Sequence, residues 1–258
     1  MGDIGVTRRF AGPRAGRPVT PTRAFRRDLA VAAVAEVAVL VLLWLHPGLG
    51  LVGRLAGLGF IIGAAGFLVA GFRSTPSRTW TPADRVTLTR LVLIGAVTAL
   101  VADRLGGSLT DRLWVPAPAV MIVIASVALV LDSVDGRVAR RTGTVTDFGA
   151  RFDMESDAFL ILVLSVFVAR SLGAWVLAIG AMRYAYVAAG WVLPWLRSPI
   201  PPKYVRKVIA AIQGVALVVV SAHLLPGPVE VGVVAGALAL LVWSFGESVW
   251  WQWQHGRS

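Results

Sequence analysis

Cysteine is absent from this 258-residue chain, so no disulfide framework holds it together. Charge is scarce too: 15% of the residues are Asp, Glu, Lys or Arg, against 57% hydrophobic. Short stretches of alternating polar and apolar residues, the mark of half-buried strands, are missing. The apolar residues come instead in long runs, and about 20 such residues cross a hydrocarbon core. Eight runs are present, at roughly 29–45, 51–72, 86–102, 115–131, 158–172, 174–195, 207–224 and 229–250. The expected fold class is all-α, a polytopic membrane helix bundle. No cleavable signal pattern precedes the first run, and no extended internal repeat is visible.

Negative charge is the scarcest commodity, with 14 acids against 25 Lys and Arg and a net charge of +11. Such an excess raises the question of nucleic-acid binding, and its distribution answers it. Arg8, Arg9, Arg14, Arg17, Arg23, Arg26 and Arg27 precede the first run, and Arg73, Arg78, Arg85 and Arg90 fall around the second connection. Arg137, Arg140, Arg141 and Arg151 follow the fourth run, and Arg197, Lys203, Arg206 and Lys207 lie between the sixth and seventh. The alternate connections hold chiefly Arg104, Arg112 and Arg170. This is the positive-inside bias. It predicts that both termini and the even-numbered connections face the cytoplasm, in a membrane of the bacterial plasma-membrane type, with no nucleic-acid partner required.

Four segments are expected. Residues 1–28 read as a basic, Pro/Gly-rich cytoplasmic tail that adds attraction to anionic lipid. Residues 29–72 form a two-span hairpin without a catalytic constellation, expected to be dispensable for chemistry; its Glu36 is expected to be hydrated or paired, and its Arg54 to snorkel. A polar linker at 73–80 leads to a six-span core at 80–252, followed by a short tail at 253–258. The core opens with Pro82-Ala83-Asp84-Arg85, a good helix start in which Asp84 complements the helix dipole. Trp191, Trp195, Trp243, Trp250, Trp251 and Trp253 sit near run ends as interfacial anchors.

Half of the chain's ten aspartates crowd into one window: Asp132, Asp135, Asp147, Asp153 and Asp157. Asp132 and Asp135 are three apart, and Asp153 and Asp157 four apart, so each pair shares a helix face. A turn through residues 142–147 would point the two pairs at one another. Four carboxylates in one low-dielectric site cannot all stay ionised without a counter-cation. Oxygen-only ligands favour Mg²⁺ or Mn²⁺, one or two ions per site. Gly136 and Ala139 leave room for a ligand against the backbone, and Arg140 is placed to meet a phosphate.

The spacing Asp132-x-x-Asp135-Gly136-x-x-Ala139-Arg140, eight residues, then Gly149-x-x-x-Asp153-x-x-x-Asp157 resembles the signature of the CDP-alcohol phosphatidyltransferases at every fixed position. The resemblance extends over the six-span core and leaves the first two spans as an addition. It implies that Asp132, Asp135, Asp153 and Asp157 hold the metal, with Asp157 also the general base. It implies further that Gly136, Ala139, Arg140 and Thr146 cradle the cytidine nucleotide, which Pro82, Ala83, Asp84, Arg85 and Thr87 close from the opening helix. The donor is then CDP-diacylglycerol or a related CDP-alcohol, attacked by an acceptor hydroxyl with loss of CMP. A homodimer is a further expectation.

The acceptor is less legible. Arg183 lies inside the sixth run, where an arginine marks either a functional site or a partner for an aspartate. Lys203, Arg206 and Lys207 open the seventh run as candidates for an acceptor phosphate or simple topology signals, with Gln213 a weaker candidate. Ala158 stands where phosphatidylglycerophosphate synthases usually carry lysine, and Phe159-Leu160-Ile161 lacks the aromatic–glycine pair of phosphatidylserine synthases. Two alternatives stay open at this stage: an intramembrane prenyltransferase with a magnesium diphosphate substrate, and an ion-coupled transporter.

Overall fold

The computed structural model describes residues 23–46, 48–74, 82–107, 117–142, 147–198, 200–201 and 203–255, without the side chains of 72–74, 82–83, 117, 133–142 and 147–148. Among the described residues, eight α-helices occupy the eight apolar runs: α1 Arg23–Leu45, α2 Leu51–Ser74, α3 Pro82–Leu105, α4 Ala117–Thr142, α5 Asp147–Leu172, α6 Leu177–Val192, α7 Tyr204–Ser221 and α8 Gly227–His255. Among the described residues there is no strand. Six helical segments among the described residues are long and apolar enough to cross a membrane: α1, α2, α3, α7, α8, and α6 with the 3₁₀ turn before it. The protein is a multi-pass membrane protein.

The two helices that miss this criterion are α4 and α5. Each has 26 residues, about 39 Å of helix, longer than a hydrocarbon core of about 30 Å. The apolar part of α4 stops at Asp132, and α5 turns apolar only after Asp157. Both therefore continue beyond their apolar stretches, and that end of the bundle carries the aspartates.

Helix α3 is the axis. Of its apolar span 67% is buried, against 17% for α1 and for α2, and Ile94, Ala96, Val97 and Ala99 are wholly enclosed. It touches α1 and α2 on one side and α4 and α5 on the other. Helix α5 in turn meets α6 and α7, and α7 pairs with α8. The approach of α5 to α6 is close because Gly180 lacks a side chain: a Cβ there would lie 2.5 Å from Leu162 Cα.

Polar contacts tie the N-terminal hairpin to α3 at both ends. Asp28 accepts a hydrogen bond from Arg85 Nε at 2.7 Å. At the opposite end Asp103, fully buried, accepts from the backbone N–H groups of Gly50 (3.0 Å) and Gly53 (3.1 Å). A helix start leaves such N–H groups unsatisfied, and here the cap for α2 comes from α3. Arg54, half-buried in the first turn of α2, has partners within the hairpin. Its Nε donates to Gly50 O at 3.2 Å and its guanidinium lies 5.5 Å from the Trp44 ring centre.

Glu36 is 1% exposed, neither carboxylate oxygen has a hydrogen-bond partner among the described residues, and it is seated against Gly95 of α3. Beside it a cavity of ≈ 20 Å³ is walled by apolar side chains of α1, α2 and α3 such as Ala33, Phe60 and Val92. Trp191, Trp243, Trp250 and Trp253 are exposed on the outside of the bundle, in keeping with lipid-interface anchoring.

Candidate active site

Three of the four signature aspartates converge. Asp132 comes from α4, and Asp153 and Asp157 come from successive turns of α5, so antiparallel helices bring both motifs to one end of the bundle. Their carboxylates offer ligand atoms within 4.8 Å of one another, the one such cluster of metal-ligating side chains among the described residues. Each aspartate side chain is about one-third exposed, so the cluster opens outward. Asp135, Gly136, Ala139 and Arg140 follow on α4, but their side chains lie outside the described residues, and so does Thr146 altogether.

A fourth participant was not anticipated. Arg90 of α3, 1% exposed, reaches the cluster from the interior. Its Nη1 lies 2.9 Å from Asp132 Oδ1 and also binds Asp153 Oδ1, while Nη2 binds Asp157 Oδ1. One guanidinium thus bridges carboxylates from two helices, using the forked donor geometry that distinguishes arginine from lysine. The sequence carried a signal for it. Arg90 falls within the apolar run 86–102, and an arginine there calls for a partner just as Arg183 does. Counted with the connecting-loop cations, it escaped that reasoning.

The opening helix supplies more of the same end. Asp84 and Thr87 are buried on the turns before Arg90, whereas Arg85 is exposed and engaged with Asp28 of the hairpin. The side chains of Pro82 and Ala83 are outside the described residues.

The candidate acceptor residues lie apart from this cluster. Arg183 pairs with Glu155, not with any of the aspartates; Nε is 3.4 Å from Oε2, and Nη2 holds Oε1. Glu155 lies two residues from both Asp153 and Asp157, about 200° round the same helix, so this pair stands at the α5–α6 interface on another face of α5. Lys203 pairs with Glu247 of α8, Arg206 donates to Pro201 O at 3.0 Å, and Lys207 is exposed. Gln213 serves the fold. It is buried, and its Nε2 donates to Ala237 O at 2.9 Å, joining α7 to α8. Gln252 closes the same end by donating to Leu196 O (2.8 Å) and Ser198 O (2.7 Å) in the α6–α7 connection.

The model of the CDP-alcohol phosphatidyltransferase family matches residues 80–244. The chain belongs to this family. The match runs from the start of α3 into α8 and leaves out α1 and α2. No curated protein and no solved structure matches the chain significantly. Family membership makes the protein an enzyme that transfers a phosphoalcohol group from a CDP-alcohol, and places it apart from prenyltransferases and transporters. The family uses a divalent metal, and the aspartate cluster is a chemically fitting seat for one: all-oxygen, converging from two helices and open on one side.

Proposed function

We propose that this protein transfers a phosphatidyl group from CDP-diacylglycerol to the hydroxyl of a small acceptor, releasing CMP, as a step in phospholipid synthesis. The observation that carries the reading is the convergence of Asp132, Asp153 and Asp157 at the polar end of an apolar bundle. A lipid-borne donor keeps its acyl chains in the hydrocarbon while its diphosphate reaches that end. Asp132, Asp135, Asp153 and Asp157 would hold Mg²⁺ or Mn²⁺, two ions per site, which when bound supplies charge neutralisation for the diphosphate.

The residues of the chain do the rest. Asp157 accepts the proton of the acceptor hydroxyl, the acceptor oxygen bonds to the phosphorus that carries the lipid, and the bond from that phosphorus to the CMP oxygen breaks. A carboxylate is a weak base, so positioning of the acceptor must supply much of the rate. Gly136, Ala139, Arg140 and Thr146, with Pro82, Ala83, Asp84, Arg85 and Thr87 of the opening segment, are the proposed nucleotide contacts. Arg183, Lys203, Arg206 and Lys207 are the proposed acceptor contacts, which favours an anionic acceptor such as a polyol phosphate. The positive-inside bias of the basic connections supports a cytoplasmic location for this end of the bundle. The proposed segments are a basic tail 1–28, whose last six residues already belong to α1, a hairpin 29–72, a catalytic core 80–252 and a tail 253–258, with a homodimer as the proposed assembly.

The test is incubation of purified protein with CDP-diacylglycerol, Mg²⁺ and a panel of acceptors, reading CMP. Acceptor-dependent CMP release with a polyol phosphate supports the proposal. Release only with a soluble CDP-alcohol would redirect it to another donor.

A further inference from the structure

The proposed chemistry makes a demand that the geometry does not meet as it stands. Asp157 is to take a proton, and three aspartates are to grip a divalent cation, yet all three Oδ1 atoms are occupied by one guanidinium. Divalent cations of the magnesium class need oxygens at about 2.0–2.1 Å in near-octahedral array. One carboxylate oxygen of each aspartate lies within 4.8 Å of the others, and Arg90 engages the Oδ1 atom of all three. A guanidinium and a small dication cannot both sit between the same three oxygens.

The charges favour exchange over expulsion of the metal. Among the described residues, three carboxylates and one guanidinium carry a formal −3 + 1 = −2, which is attractive to a dication with Arg90 in place. The two cations also come from opposite sides. Arg90 is 1% exposed and rooted in the buried face of α3, whereas the aspartates are about one-third exposed towards the open end. Without some cation, like charges from α4 and α5 would force the helix ends apart or take up protons.

Resting on the metal-dependent reading above, we propose that Arg90 is a displaceable counter-cation: it holds Asp132, Asp153 and Asp157 together in the metal-free protein and yields them when a divalent ion binds. Metal loading then does two things at once. It frees Asp157 from the guanidinium, so its lone pairs can accept a proton, and it releases a positive charge beside the place where the anionic donor arrives. The aspartates would be available for catalysis only in the loaded enzyme, which protects the metal-free protein from both repulsion and stray proton transfer.

Mn²⁺ alone is the probe, with free Mn²⁺ measured by electron paramagnetic resonance on full-length protein in detergent, alongside thermal unfolding with and without the ion. Arg90→Gln should bind Mn²⁺ on the order of tenfold tighter than wild type, because no cation must be displaced. Its metal-free form should unfold at a lower temperature and recover with Mn²⁺, while the wild-type midpoint responds less. Arg90→Lys, which keeps the charge but lacks the planar, two-nitrogen fork, should fall between the two. Equal or weaker Mn²⁺ binding in Arg90→Gln overturns the inference and makes Arg90 a prop for the metal ligands. If Arg90→Gln fails to fold, equal or weaker binding in Arg90→Lys overturns it in the same way. Failure of wild type to bind Mn²⁺, or binding that Asp132→Asn leaves intact, would bring down the metal reading itself.

Discussion

Replacing Gly95 by alanine places a methyl group where Glu36 already stands. The new Cβ would lie 2.2 Å from Glu36 Oε1, 2.6 Å from Cδ and 2.8 Å from Oε2, all well inside contact distance. A flexible side chain usually steps aside from such a clash, but Glu36 is 1% exposed and the space beside it is walled by apolar side chains such as Ala33, Phe60 and Val92. Either the carboxyl is forced into apolar walls or α1 withdraws from α3. Overpacking of this kind costs about 1–3 kcal/mol. Glu36→Ala alone should be close to neutral, since it removes a buried carboxyl that no hydrogen bond holds. Combined with Gly95→Ala it should restore most of the lost stability, a coupling of about 1–2 kcal/mol. Unfolding in detergent can be followed through the chain's ten tryptophans. A Gly95→Ala protein as stable as wild type, or a double variant no better than Gly95→Ala, would refute the packing described for α1 against α3.

Four other outcomes are expected. Asp103→Ala leaves the N–H groups of Gly50 and Gly53 without their acceptor and should cost about 2–4 kcal/mol of stability; a truncation starting near Pro76 should likewise be destabilised while keeping some transfer activity, and an unchanged unfolding midpoint in either would contradict the capping. Asp157→Asn should lower kcat on the order of 10²–10⁴-fold while donor binding survives, whereas donor binding lost as fully as in Asp132→Asn would make Asp157 chiefly a metal ligand. Arg183→Ala should raise the acceptor KM and leave the donor KM near its original value, with Arg183→Lys rescuing only in part; equal damage to both would tie Arg183 to the donor site.

The helices were legible because each is an apolar run long enough to declare itself, and the aspartate segment because acids are costly in that setting. Convergence of Asp153 and Asp157 followed from helical spacing alone. What stayed hidden depends on pairings across the chain. Arg90 meets carboxylates 42 to 67 positions away, and Asp103 caps a helix that starts 52 residues earlier, contacts that no local periodicity encodes. The fit of Glu36 to Gly95 is a matter of shape, invisible until both helices are placed. The hairpin read as an appendage because it lacks catalytic residues. In the structure it covers the back of the helix that carries Arg90.

The central claim is that the aspartate cluster transfers a phosphoalcohol group from a CDP-alcohol. It is tested most directly by CMP release from CDP-diacylglycerol by purified protein in Mg²⁺, wild type beside Asp132→Asn. Release that requires both an acceptor and Mg²⁺, and that disappears in Asp132→Asn while the variant remains folded, is the predicted result. Undiminished release from Asp132→Asn in chelator-treated samples would contradict it.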